Sequence, residues 1–208
     1  MLFRSPGSNW HTYLMDPDWF QNELYYGIEQ IGWNGHSKPW DMHNREFRNV
    51  ASIPQISEYR EVNDALASGS QLMSGFRDVE PLEEKYDVDG VLLGRPFKIT
   101  KVGPVALFCN NLEESVSFYR DLLGFIITEI VDFEGDKIYF LRNNTEHHSL
   151  ALYPLAIREK LSCRDDTLLF SFGLRVGNYG QLRQALQFLR DEHGCKVRED
   201  IDRKSTRL

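Results

Sequence analysis

The sequence predicts an α+β fold in which repeated strand–helix–strand units pack their helices on a mixed, largely antiparallel sheet. Three observations carry this. Runs rich in β-branched and aromatic residues recur from Pro104 onwards. Two stretches place apolar residues at helical spacing behind a capping asparagine, Asn111 and Asn178. Those asparagines lie 67 positions apart, and the same offset relates Pro104 to Ser171, so the second unit repeats the first.

Taken in order, HTYLMDPDWFQNELYYGI reads as two apolar strands around Asp16-Pro17-Asp18, a turn signal. Residues 1–28 are therefore expected to form a hairpin. A long connection follows over 29–97, with a helix near 57–67 that stops at Gly69. Trp33, Trp40 and Phe47 make this stretch too aromatic for a free linker, so it is expected to pack on the domains. PVALFCN (Pro104 to Asn110) is a strand, and Asn111 caps a helix over about 113–123. Val116, Tyr119 and Leu123 share one face of it, Glu113 and Glu114 suit the positive end of its dipole, and Gly124 ends it. IITEIVDF and DKIYFLRN flank Glu134-Gly135, a hairpin turn, and HSLALYP from His148 is a further strand. LLFSFGLRV opens the second unit, and a helix over about 180–192 carries the stripe Leu182, Ala185, Leu186 and Leu189. CKVRED is expected to begin another strand.

Composition narrows the function. The chain has 208 residues and a formal charge of −7, which repels a phosphate backbone, so nucleic acid is not an expected partner. No apolar run reaches the roughly 18 residues of a membrane span, and MLFRSPGSNWH lacks the apolar stretch of a secretory signal. Cys109, Cys163 and Cys195 are odd in number and widely spaced, as suits reduced thiols in a cytoplasmic protein. There is no P-loop, no GxSxG, and no EF-hand spacing among Asp132, Glu134 and Asp136. His36 and His43, seven apart, do not make a metal pair. The last seven residues, DRKSTRL, match the in-frame translation of a sequencing adapter; residues 202–208 are read as an artefact, against the plainer alternative of a basic tail.

Three segments carry a resemblance. SVSFYRDLLGF (Ser115 to Phe125), FLRNNTEHHSLALYP (Phe140 to Pro154) and DPDWFQNELYYG (Asp16 to Gly27) resemble the vicinal oxygen chelate superfamily of glyoxalases, bleomycin-resistance proteins and extradiol ring-cleaving dioxygenases. The HHSLA segment is similar to the extradiol branch in particular. The fold this implies is the paired βαβββ module, incomplete here at both ends, with 98–201 as a module pair lacking its last strands. Residues 1–28 would then close a truncated upstream module. The implied site is a facial triad of two histidines and a carboxylate, which leaves open positions on a non-haem Fe(II), or Mn(II), for a catecholate and O2. His148 matches the second metal histidine, Glu23 the metal carboxylate, and Tyr13 the tyrosine that hydrogen-bonds substrate. The plainer alternatives are a hydrogen-bonded histidine in a decayed site and an ordinary strand tyrosine.

Two departures count against chemistry in this chain. The position of the first metal histidine is occupied by Pro104, whose side chain has no ligand atom. The acid–base histidine of the second unit falls at Ser171, whose hydroxyl cannot shuttle protons near neutral pH. Trp19 also stands where the family has a turn glycine, so a distorted hairpin is expected. The resemblance thus implies part of an extradiol-type oxidoreductase that opens a catecholic ring with O2, with this piece inactive and Fe(II) absent from it. The alternatives are a non-enzymatic binder of a small aromatic and a glyoxalase-type lyase or isomerase. A small catechol-like molecule is the expected ligand, a membrane is not expected, and a homo-oligomer is left open.

Overall fold

The computed structural model describes residues 10–26, 58–71 and 82–198. These fall into two compact units, one of residues 10–14, 21–26 and 58–71, the other of Met15–Phe20 with 82–198. Among the described residues no helix is long and apolar enough to cross a membrane.

The first unit holds most of the hairpin made by β1 (Trp10–Met15) and β2 (Gln21–Tyr26), together with α1 (Glu58–Ala67). Helix α1 ends as the sequence predicts. Gly69, at φ 84°, donates its N–H to the Leu66 carbonyl, and Ser70 donates to Ala65, each at 3.0 Å. The packing expected of Trp33, Trp40 and Phe47 lies outside the described residues.

The second unit opens with β3 (Tyr86–Val88) and β4 (Val91–Leu93), an antiparallel pair inside the stretch read as a connection over 29–97. Its signal was an Asp89-Gly90 turn between short apolar runs. Then follow β5 (Ile99–Cys109), α2 (Leu112–Ser117) with a π-helical turn over Phe118–Leu122, β6 (Ile126–Phe133), β7 (Asp136–Arg142) and β8 (Leu150–Pro154). A short 3-10 turn, Leu155–Ile157, leads on to β9 (Leu169–Val176) and α3 (Tyr179–Gln187), which runs into a second π-helical turn over Phe188–Glu192. The five-stranded sheet has the order β6-β7-β8-β5-β9, with β5 parallel to β8 and every other pair antiparallel. The run β5-α2-β6-β7-β8 is thus one whole βαβββ unit, and β9-α3 begins another beside it.

Local chemistry explains these elements. Asn111 and Asn178 both cap as expected, their side-chain oxygens accepting from the Glu114 and Gln181 N–H groups at 3.3 and 2.8 Å. Glu134 and Gly135 sit at φ 54° and 88°, the paired positive values of a two-residue hairpin, and Asp132 Oδ1 accepts from the Gly135 N–H. Val116 of α2 and Tyr119 of the π-helical turn that follows it pack on Leu107, Leu141, Leu150 and Leu152 of the sheet. Phe108, Ile138 and Ile157 form a second cluster. Burying a side chain of this size stabilises by about 1.5–3 kcal/mol.

The repeat is closer than one offset suggests. α3 is three residues longer than α2, so the offset of 67 at the caps becomes 70 at the π-helical turns, aligning FYRDLLG with FLRDEHG. Arg120 and Arg190 each bond the following aspartate through Nε at 2.6 Å.

Two expectations are corrected. Cys195 to Arg198 form no strand; the Cys195 N–H instead donates to the Leu189 carbonyl and Arg198 Nη2 to the Leu161 carbonyl, and among the described residues no strand pairs with this segment. The stripe on α3 is also largely uncovered: Ala185 is buried, but Leu182, Leu186 and Leu189 are exposed. α2 lies on a four-stranded unit of its own, whereas the described part of α3's unit has only β9.

The Asp16–Phe20 turn does more than reverse the chain. Asp16 and Asp18 are both buried and carry six hydrogen bonds between them. Asp18 accepts from the Asn110 backbone and side chain and from Ser115 Oγ, each at 2.8 Å. Asp16 accepts from the Tyr119 hydroxyl at 2.6 Å and from the Asp18 and Phe20 N–H groups. Buried carboxylates are tolerated only when hydrogen-bonded in this way. The turn is thereby pinned to the start of α2. Trp19 sits there at φ 68°, the left-handed region for which glycine is suited, so the expected distortion is a backbone the side chain resists.

Candidate functional site: a pocket at the bulge of β5

The site is built where β5 and β9 fall out of register. The ladder shifts between Val102 and Val105, a bulge at Gly103-Pro104. Gly173 of β9 faces it, and a Cβ there would meet the Gly103 oxygen at 2.6 Å and the Pro104 Cδ at 2.7 Å. Only glycine allows this approach. The loop between β7 and β8 completes the rim, leaving an open pocket of about 340 Å³ lined by Gly103, Pro104, Glu146, His147, His148, Gly173, Leu174 and Arg175. Most of its lining is apolar.

His148 is half-buried with its ring 5.0 Å from Phe140, edge to face. Burial, with the neighbouring His147, lowers its pKa below the ordinary histidine value, so it is neutral at physiological pH. Its Nδ1 lies 3.1 Å from His147 Nδ1, and His147 Nε2 lies 3.4 Å from Glu129. On the same loop, Glu146 is bridged by Lys101 and, at 3.4 Å, by Arg175 Nη1. The Lys101 ammonium holds the Glu146 carboxyl below the usual carboxylate range.

The residues singled out from sequence are only partly brought together. Pro104 and His148 line the same pocket; Ser171 does not line it and is exposed on β9. Tyr13 and Glu23 belong to the first unit and His148 to the second. Within the first unit, Tyr13 is exposed with its ring 5.1 Å from His11, and His11 Nδ1 lies 3.8 Å from Glu23 Oε1. That nitrogen is buried and has no hydrogen-bond partner among the described residues. His11, Lys101, Glu146 and Arg175 were not anticipated. The signal for His11 was its spacing of two from Tyr13, which puts both on one face of a strand.

The donor set does not fit a facial triad. Among the described residues no three His, Cys, Asp or Glu side chains converge as metal ligands. In the pocket itself, position 104 supplies no donor atom and Glu146 is committed to two cations. What remains is a neutral imidazole, an apolar floor and a charged rim, which suit binding and orienting a small ring.

With that geometry in view, comparison with known proteins is informative. Residues 101–206 match the model of the Glyoxalase/Bleomycin resistance protein/Dioxygenase superfamily, and the chain belongs to that family. Over 59 residues it is 49% identical to the manganese-dependent 2,3-dihydroxybiphenyl 1,2-dioxygenase of Geobacillus genomosp. 3, a match covering 27% of this chain and 18% of that protein. Among solved structures, it is similar to 2,2',3-trihydroxybiphenyl 1,2-dioxygenase from dibenzofuran-degrading Sphingomonas wittichii strain RW1. That likeness has a TM-score of 0.39 and 22% identity, over 46% of this chain and 31% of that one. A catechol 2,3-dioxygenase gives a TM-score of 0.44 and 17% identity, over 87% and 43%. The chain thus spans less than half the length of each relative.

Proposed function

We propose that the chain serves as an aromatic-binding module of an extradiol-type dioxygenase, an oxidoreductase that opens a catecholic ring with O2, and does not catalyse by itself. The observation that carries this is that Pro104 and His148 line one pocket. The position that should hold a metal histidine faces the imidazole it would work with, and it is a proline. The extradiol assignment is supported by the 49% identity to a manganese-dependent dihydroxybiphenyl dioxygenase, and by the HHSLA segment. In such an enzyme Fe(II) or Mn(II) supplies a Lewis-acidic centre for catecholate and O2. His148 and Glu23 are the residues here that match its ligands, and Tyr13 matches the substrate tyrosine. Because the described donors do not complete the triad, this chain's own contribution is to receive the ring against Pro104 and Leu174 and to present neutral His148 as a hydrogen-bond partner for a hydroxyl.

Metal analysis of the 208-residue chain, followed by a ring-cleavage assay on catechol and 2,3-dihydroxybiphenyl with added Fe(II) or Mn(II), tests this reading. The expected result is binding of the catechol without stoichiometric metal and without ring opening. Tight one-to-one metal with turnover would overturn it and restore Tyr13, Glu23 and His148 as a working site.

A further inference from the structure

We propose that the pocket recognises a carboxylate on its aromatic ligand, with Arg175 as the recognising group; this rests on the reading of the pocket as an aromatic site. The first observation is a matter of register. In the β5–β9 ladder Lys101 lies directly opposite Arg175. Like charges facing one another across a strand pair destabilise it. Glu146 enters from the β7–β8 loop and bridges both cations, but one carboxylate for two cations leaves a surplus positive charge at the pocket rim. The chain as a whole carries −7, so this surplus is local.

The second observation is how Arg175 is held. Its Nε donates to Thr100 Oγ1 at 3.2 Å and its Nη1 to Glu146 Oε1 at 3.4 Å, which orients a guanidinium that is otherwise open to solvent. A guanidinium has five donors in a rigid fork, and these two bonds leave Nη2 without a partner among the described residues. A planar carboxylate is the group that such a fork fits best.

The third observation is the pocket floor. Gly103 and Gly173 contribute no side chains, Pro104 and Leu174 are apolar, and the His148 ring packs edge to face on Phe140 with centroids 5.0 Å apart. Among the described residues, the carboxylates paired with the pocket's rim are Glu146, already bridged, and Glu129, 3.4 Å from His147 Nε2. An aromatic monocarboxylate would therefore lay its ring on the floor and turn its charge towards Arg175.

The experiment titrates the 208-residue chain, stripped of metal by chelation, with benzoate and with benzamide, which has the same shape and no charge. Catechol serves as a third probe, and binding is read by calorimetry. Benzoate is expected to bind about tenfold more tightly than benzamide, with an advantage that falls as salt rises. Arg175→Gln should remove that preference, bringing benzoate to the affinity of benzamide in the same variant. The wild-type comparison stands on its own if the variant folds poorly. Equal affinity for benzoate and benzamide, unchanged by Arg175→Gln, would overturn carboxylate recognition while leaving an aromatic pocket in place. Failure of all three probes to bind would overturn the aromatic-binding reading as well.

Discussion

Cys109 ends β5 inside the main core, touched by the same Asp16–Asp18 turn that grips α2. Burial pushes its thiol up to about 12; contact with Ser115 pulls the other way, and the Asp18 and Asp16 carboxylates add to the rise. The unfolded thiol ionises near 8.5. Between those values the unfolded state binds fewer protons than the native one, so the stability tied to Cys109 is whole below about pH 8.5 and declines as pH rises towards 12. Other groups titrate in that range too, so the clean measurement is a difference. The denaturation midpoints of wild type and Cys109→Ala, compared at about pH 8 and about pH 10, should draw together at the higher pH. A gap that stays constant would mean that the thiol is not held neutral by burial. At this scale the sequence was legible where a residue's own backbone preference decides, as at Asn111, Asn178 and the Glu134-Gly135 turn. It was not legible where a side chain's role depends on a distant partner. Asp16 and Asp18 read as a turn, and nothing local announces that their oxygens would be filled by Asn110, Ser115 and Tyr119.

Helix α3 illustrates the same division among elements. Its start, its length and its apolar stripe follow from local pattern, but which face is buried was decided by what lies beside it. The residue that fastens it is polar. Gln181 is buried in the first turn, and its Oε1 accepts from the Lys98 N–H at 3.0 Å and the Gly177 N–H at 3.2 Å, tying α3 to the lead-in of β5. Gln181→Leu keeps the helix propensity and removes the acceptor from two partly buried donors. A loss of about 1–3 kcal/mol is expected. Gln187→Leu, the same change at an exposed position of the same helix, should stay within about 0.5 kcal/mol. Urea denaturation of both variants checks the contrast, and equal effects would show that the bonds of Gln181 contribute nothing net. The site's rim was hidden for a related reason. Lys101, Glu146 and Arg175 meet only because a bulge at Gly103-Pro104 sets the register of β5 against β9, and a bulge of this kind has no signature beyond a glycine and a proline in a strand.

For the whole molecule, the sheet order matters most. β9 is the last strand of the order β6-β7-β8-β5-β9, so one side of its backbone has no ladder partner among the described residues. Phe172 and Leu174 of β9 and Leu182 and Leu186 of α3 are all about half exposed. An open strand edge beside apolar side chains is a template for pairing with another chain. Net charge opposes that, since copies of a −7 chain repel one another. Both terms are testable together. Sedimentation velocity of the 208-residue chain should show concentration-dependent self-association that grows with salt, because salt screens the repulsion and leaves apolar contact intact. Replacing Leu182 and Leu186 by lysine removes apolar surface and at the same time brings the net charge nearer zero, from −7 to about −5. If charge governs association, Leu182→Lys with Leu186→Lys should strengthen it; if the uncovered face of α3 governs it, the pair should weaken it. Weakening is expected, because about half of each leucine's surface lies open to solvent and the repulsion between copies is already screened at moderate salt. A chain that stays monomeric at every salt and concentration would show instead that this face is satisfied within a single copy.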